Sequence, residues 1–257
     1  MTKRQKFVFT SLILSLGFIG INFLDNNYRF LAIGVLTLLT VVLFVWSLWE
    51  GLGRNWTLLT LVLPALYTLG VGTFWFLLPA TIFARIPVVI LFGLGIYALC
   101  LTSNIFTVSA VRTIALVRAA RGVGFVLTLL TSFLLFDAIL SIKAQIWITT
   151  LGVVASSFAL FLQGFWISVL EQKNILASKT FFYTLISSLG IGEIAVLLFF
   201  WPVTVVVGSL FLTVGVYMLL GLGQAKLEGR LFKATVREYL TVGLVVFITM
   251  LFATHWG

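Results

Sequence analysis

The sequence predicts an all-α fold, a polytopic transmembrane bundle of about nine spans. Three observations predict it: long apolar runs, a scarcity of charge, and a segregation of cations into alternate connections. Charged residues fill 9% of the 257 positions, against about a quarter in a soluble domain, too few to coat a water-facing surface. The apolar runs reach about 17 to 25 residues, the length that crosses hydrocarbon as a helix. They must be helical, because an unpaired backbone amide in lipid costs several kcal/mol and only helices and closed barrels pair them all. Barrel strands alternate polar and apolar residues, whereas a stretch such as Phe30 to Trp49 is apolar on every face.

The first span is Phe7–Leu24, entered from Lys3, Arg4 and Lys6. Ser15-Leu16-Gly17 has the composition of a cleavage triplet, but the apolar run continues beyond it, so the segment reads as an uncleaved span. Polar residues 25–29 lead to the second span, Phe30–Trp49, and residues 50–55 to the third, Trp56–Leu78. Pro79 and Pro87 bracket the connection to the fourth, Val88–Val108. Arg112, Arg118 and Arg121 precede the fifth, Gly122–Ile142, and Lys143 to Gln145 make a short turn into the sixth, Ile146–Leu170. The seventh, Thr180–Trp201, is divided from the eighth, Val203–Leu222, by Pro202 alone. Residues 223–239 form a basic cytoplasmic segment before the ninth span, Leu240–Trp256. No connection is long enough to hold a folded soluble domain, so residues 1–257 read as a single integral membrane domain.

Charge sets the orientation. With the N-terminus in the cytoplasm, the inner segments hold Lys3, Arg4, Lys6, Arg54, Arg112, Arg118, Arg121, Lys173, Lys179, Lys226, Arg230, Lys233 and Arg237, thirteen of the sixteen cations. Only Arg29, Arg85 and Lys143 fall outside, and one span more or fewer midway would scramble the segregation. The C-terminus is then external, and the expected location is the cell or plasma membrane. All eight tryptophans lie near predicted span ends, where indoles settle at headgroup level.

Two carboxylates fall inside spans, Asp137 and Glu193. An acid at that depth costs a few kcal/mol on insertion scales unless it is neutral, paired or solvated. At the helical rise they lie about 8 and 12 Å from the outer boundary, similar depths at which both would line one outward-facing cavity. Glu193 closes Ser187-Ser188-Leu189-Gly190-Ile191-Gly192-Glu193, where small residues are expected to loosen the helix and free carbonyls for a ligand or cation. The functional reading is a proton or cation acceptor; the structural one is a protonated carboxyl bonded to a neighbouring helix. Asn104 and Gln163 lie in the inner halves of their spans, suited to interhelical bonds and also to continuing a polar route inward. Lys226, Arg230, Lys233 and Arg237 recur at i, i+4, i+7 and i+11, which places all four on one narrow helical stripe, with Leu227, Leu231, Phe232 and Val236 on the other side. That pattern is expected of an interfacial amphipathic helix meeting anionic headgroups on the cytoplasmic side.

Enzyme classes recede by subtraction. One cysteine, Cys100, excludes an internal disulfide, and one histidine, His255, excludes a multi-histidine metal site within the chain. A serine triad needs a histidine beside its nucleophile, and an intramembrane aspartyl pair needs two aspartates in spans, where only Asp137 is present. Gly-x-Gly triplets occur, but none opens a βαβ unit, so no cofactor is expected and helix packing is the reading. Basic segments without stacking aromatics or a soluble fold do not make a nucleic-acid site. The reading is a non-enzymatic membrane scaffold, assembly or sensor module that packs against other membrane proteins. The alternative is a transporter of a small solute or lipid coupled through the two acids, with a lipid-modifying enzyme third.

Overall fold

A computed structural model describes residues 2–21, 24, 26–52, 58–79, 82–109, 116–169 and 177–254. Asn22, Asp25, Arg54, Trp56, Arg112, Lys173, His255 and Trp256 lie outside the described residues. Among those described there are nine α-helices and no strand: α1 (Lys3–Ile21), α2 (Asn26–Leu52), α3 (Val62–Phe74), α4 (Ile82–Ser109), α5 (Val117–Ser141), α6 (Ile146–Val169), α7 (Ala177–Phe200), α8 (Val205–Leu227) and α9 (Lys233–Ala253). Short 3₁₀ turns, Leu58–Leu61 and Trp75–Leu77, extend α3 at both ends. By length and composition, nine segments are able to cross a membrane, in the order the apolar runs predict.

Several boundaries depart from expectation, two of them instructively. Pro87 lies inside α4 rather than ahead of it, more than a turn past the start at Ile82. There it lacks a bond to the carbonyl of Phe83, an almost fully exposed residue. The last helix begins at Lys233, seven positions earlier than its apolar run, because Lys233 to Tyr239 are polar on balance but good enough helix formers to extend it.

The chain folds as two compact units, Met1–Thr131 and Ser132–Gly257. In the first, α1 packs on α2 and α4, and α3 on α2 and α4. Its centre is aromatic: Phe18 of α1 lies 4.8 Å from Phe92 of α4 and 4.9 Å from Trp75, and Tyr67 of α3 stacks on Phe92 at 5.8 Å. Three interhelical hydrogen bonds surround it. Ser11 Oγ donates to the Gly93 carbonyl (2.7 Å), Tyr67 Oη to the Leu91 carbonyl (3.0 Å), and the Thr40 and Thr68 hydroxyls are hydrogen-bonded to each other (3.1 Å). Lipid removes the hydrophobic drive for helices to associate, so close contact and such bonds must supply it.

The second unit holds the end of α5 and α6 to α9, with α6 against α7 and α8, and α9 against α8. Glycines sit in its seams, Gly192 from a Gly-x-Gly triplet and Gly215 and Gly243 from outside any triplet. Gly192 of α7 receives Val154 of α6, Gly215 of α8 receives Ile191 of α7, and Gly243 of α9 receives Met218 of α8; a Cβ at any of them would force the neighbour to shift. Trp201 Nε1 donates to Thr254 Oγ1 (3.0 Å) and its ring meets Phe247 edge-on, which pins the far end of α9. Large apolar side chains stay exposed along the outward faces of both units, among them Leu38, Val126, Leu151, Leu197 and Phe252. That surface suits hydrocarbon and not water.

The joint between α8 and α9 is a Schellman turn. Gly229 has φ +70, its N–H donates to the Lys226 carbonyl (3.1 Å), and the Arg230 N–H reaches the Ala225 carbonyl (2.8 Å). A side chain at Gly229 meets open space, so Gly229→Ala is expected to cost only the left-handed backbone, about 1 kcal/mol. Thermal unfolding of the purified variant reads this directly; an unchanged midpoint would mean the turn is not held.

Candidate functional site

Asp137 and Glu193 both belong to the second unit, in opposite surroundings. Asp137, on α5, is 4% exposed. Ser209 of α8, fully buried, points its hydroxyl at both Asp137 Oδ1 (3.2 Å) and the Val206 carbonyl (2.9 Å). Gly208, the preceding residue, faces Leu140 of α5, 3.4 Å from where a Cβ would stand. The arrangement is a polar clasp between two helices, of a kind worth about 1 to 2 kcal/mol in membrane peptides. Asp137→Asn retains an acceptor for Ser209 and is expected to change unfolding stability by less than about 1 kcal/mol. A loss of several kcal/mol would show that the carboxyl group itself is required.

Glu193 is exposed, with no hydrogen bond or ion pair among the described residues. Its direction follows from helix geometry: at about 100° per residue, Glu193 sits about 200° around α7 from Ile191 and about 160° from Ala195. Both of those are buried against neighbours, so the carboxyl points away from the core. Along the same outward strip lie Phe182, Ile186, Leu189, Leu197 and Phe200, all exposed and all apolar. The acid stands about 10 Å from the end of α7 at Phe200. The shared cavity is therefore not formed by these side chains: one acid is enclosed and the other faces outward. Nor do Gly190 and Gly192 loosen the helix, because α7 runs unbroken through Ser187 to Glu193 and Gly192 instead seats Val154.

Asn104 is half-buried on α4 in the first unit. Gln163 is buried on α6 in the second, its Oε1 without a partner among the described residues. The next residue's carbonyl, Gly164, accepts a bond from Gln224 Nε2 of α8 (3.1 Å). Ser209 and Gln224, which make the polar contacts between helices, carry no sequence signal beyond being polar residues within a span.

The four inner cations do not make one helical stripe. Lys226 ends α8, Arg230 lies in the turn and pairs with Glu228, and Lys233 and Arg237 occupy the first two turns of α9. Gly229 is the reason: its left-handed φ ends α8 and breaks the register that would have aligned them. A signal was available, since a glycine just past a helical run marks a C-terminus. In the first unit, Arg85 places its guanidinium 5.2 Å over the ring of Trp75, a cation–π contact. Trp75 is buried there, two residues from the end of its membrane-length segment.

Among the described residues, nine segments are long and apolar enough to cross a membrane and carry apolar outward faces, as a multi-pass helical membrane protein would. No curated protein and no solved structure matches the chain significantly. The chain belongs to the family described as Protein of unknown function (DUF5656), whose profile matches residues 9–253.

Proposed function

We propose that this protein is a non-enzymatic assembly module of the membrane, with its N-terminus cytoplasmic and its C-terminus external, completed by a helix of another membrane protein docked on α7. The observation that carries the reading is Glu193, exposed at membrane depth in the middle of an apolar strip. A carboxyl facing hydrocarbon is costly, and such residues find partners on other helices. The partner's chemistry follows: a transmembrane helix with a hydrogen-bond donor or cation at matching depth, flanked by small apolar residues. The orientation rests on the thirteen cations of the inner segments.

The transport reading has less support, because it needs the acids to converge on a hydrated cavity, whereas Asp137 is buried against α8 and Glu193 is exposed on α7. The assembly reading is tested by photo-crosslinking in native membranes from positions 189 and 197, above and below Glu193. The expected product is one reproducible membrane partner, crosslinked through a transmembrane segment. Adducts with lipid alone would reject it.

A further inference from the structure

We infer that the second unit carries a binding groove for a phospholipid with an anionic headgroup, running from the α8–α9 turn down the seam of α9. The groove has two parts. Its mouth, about 470 Å³, opens between the turn and the start of α9 and is lined by Lys233 and Arg237 together with Phe232 and Val236. Its lower part, about 500 Å³, is wholly apolar and lies between α9, α8 and Ile194 of α7, with Phe211, Met218 and Phe247 in its wall. Leu240 and Leu244 line both parts, so the two adjoin along α9.

The polarity fits one kind of molecule. Lys233 and Arg237 are four residues apart on one face of α9, and both are exposed. The nearby carboxylates do not block them. Glu228 is engaged by Arg230, and Glu238 is turned about 100° around the helix from Arg237. Cations at the mouth match a phosphate, and nothing charged follows below them. From Leu240 to Phe247 the groove descends about 10 Å, within the roughly 15 Å that one leaflet's acyl chains span. A free phosphate would leave the apolar part empty, and a zwitterionic lipid would forgo the charge match. The inference requires that the helices cross a bilayer but makes no use of Glu193, so the two proposals fail separately.

The test uses the full chain in nanodiscs holding equal amounts of phosphatidylglycerol and phosphatidylcholine with identical acyl chains, with retained lipid counted by native mass spectrometry after gentle delipidation. Wild-type protein is expected to retain phosphatidylglycerol about 30-fold over phosphatidylcholine, which is about 2 kcal/mol at 1.4 kcal/mol per decade, two cations at about 1 each. The double variant Lys233→Gln, Arg237→Gln is expected to lose that preference while still retaining lipid. Leu244→Trp, at an exposed position, fills the groove and is expected to lose both lipids. Wild-type protein supplies a readout independent of any variant's folding: raising salt lowers the preference, and inorganic phosphate fails to displace the lipid. Equal retention of the two lipids by the wild type, displacement by phosphate, or a dimer crosslinked through position 244 in place of lipid would each overturn the inference.

Discussion

Replacing Glu193 with leucine is expected to make the isolated chain more stable and at the same time to cost it its partner. The two effects come from one side chain. In the chain alone the carboxyl faces outward among Leu189, Leu197 and Phe200 and bonds to none of the described residues. Removing it relieves a penalty of about 2 to 3 kcal/mol on insertion scales, read as a higher unfolding midpoint for the purified protein. In native membranes the same substitution deletes an interhelical bond of about 1 to 2 kcal/mol, roughly a tenfold loss of crosslinked partner. Glu193→Gln keeps a hydrogen-bonding group and is expected to fall between. A variant that destabilises the chain, or keeps its partner at wild-type yield, would remove Glu193 from the assembly role.

The largest effect on folding is expected at Gly95. Tyr67 lies against this glycine and so reaches over it to the Leu91 carbonyl, and a Cβ at position 95 would overlap the phenol ring and hydroxyl. Gly95→Ala is expected to destabilise the first unit by about 2 to 4 kcal/mol, overpacking plus the lost hydrogen bond. A double-mutant cycle identifies the cause. Tyr67→Ala is itself costly, about 3 to 5 kcal/mol by analogy with phenylalanine truncations, but it empties the space that the new methyl would fill. In that background Gly95→Ala is expected to cost less than about 1 kcal/mol. An equal cost in both backgrounds, measured by unfolding of the four proteins, would mean that the clash is elsewhere.

The helices were legible because their signal is local: a run such as Phe30 to Trp49 needs no partner to declare itself, and prolines and cation clusters mark the gaps. What each helix presents to its neighbours was not. A span apolar on every side carries no stripe to orient it, so nothing near Glu193 in the chain distinguishes a cavity-facing acid from an outward one. The Asp137–Ser209 pair joins residues 72 positions apart, a register set by how α5 and α8 pack. The basic turn is a different case, because Gly229 carried the information and the regular spacing of four cations outweighed it.

The partner site proposed at Glu193 and the leaflet proposed for the groove both require the helices to cross the membrane, and nine crossings would put the chain ends on opposite sides. Fusing a tag to each end in turn and probing sealed cells with a membrane-impermeant reagent measures this. The C-terminal tag is expected to react in intact cells and the N-terminal tag only after permeabilisation. Both tags reacting from the same side would contradict the account.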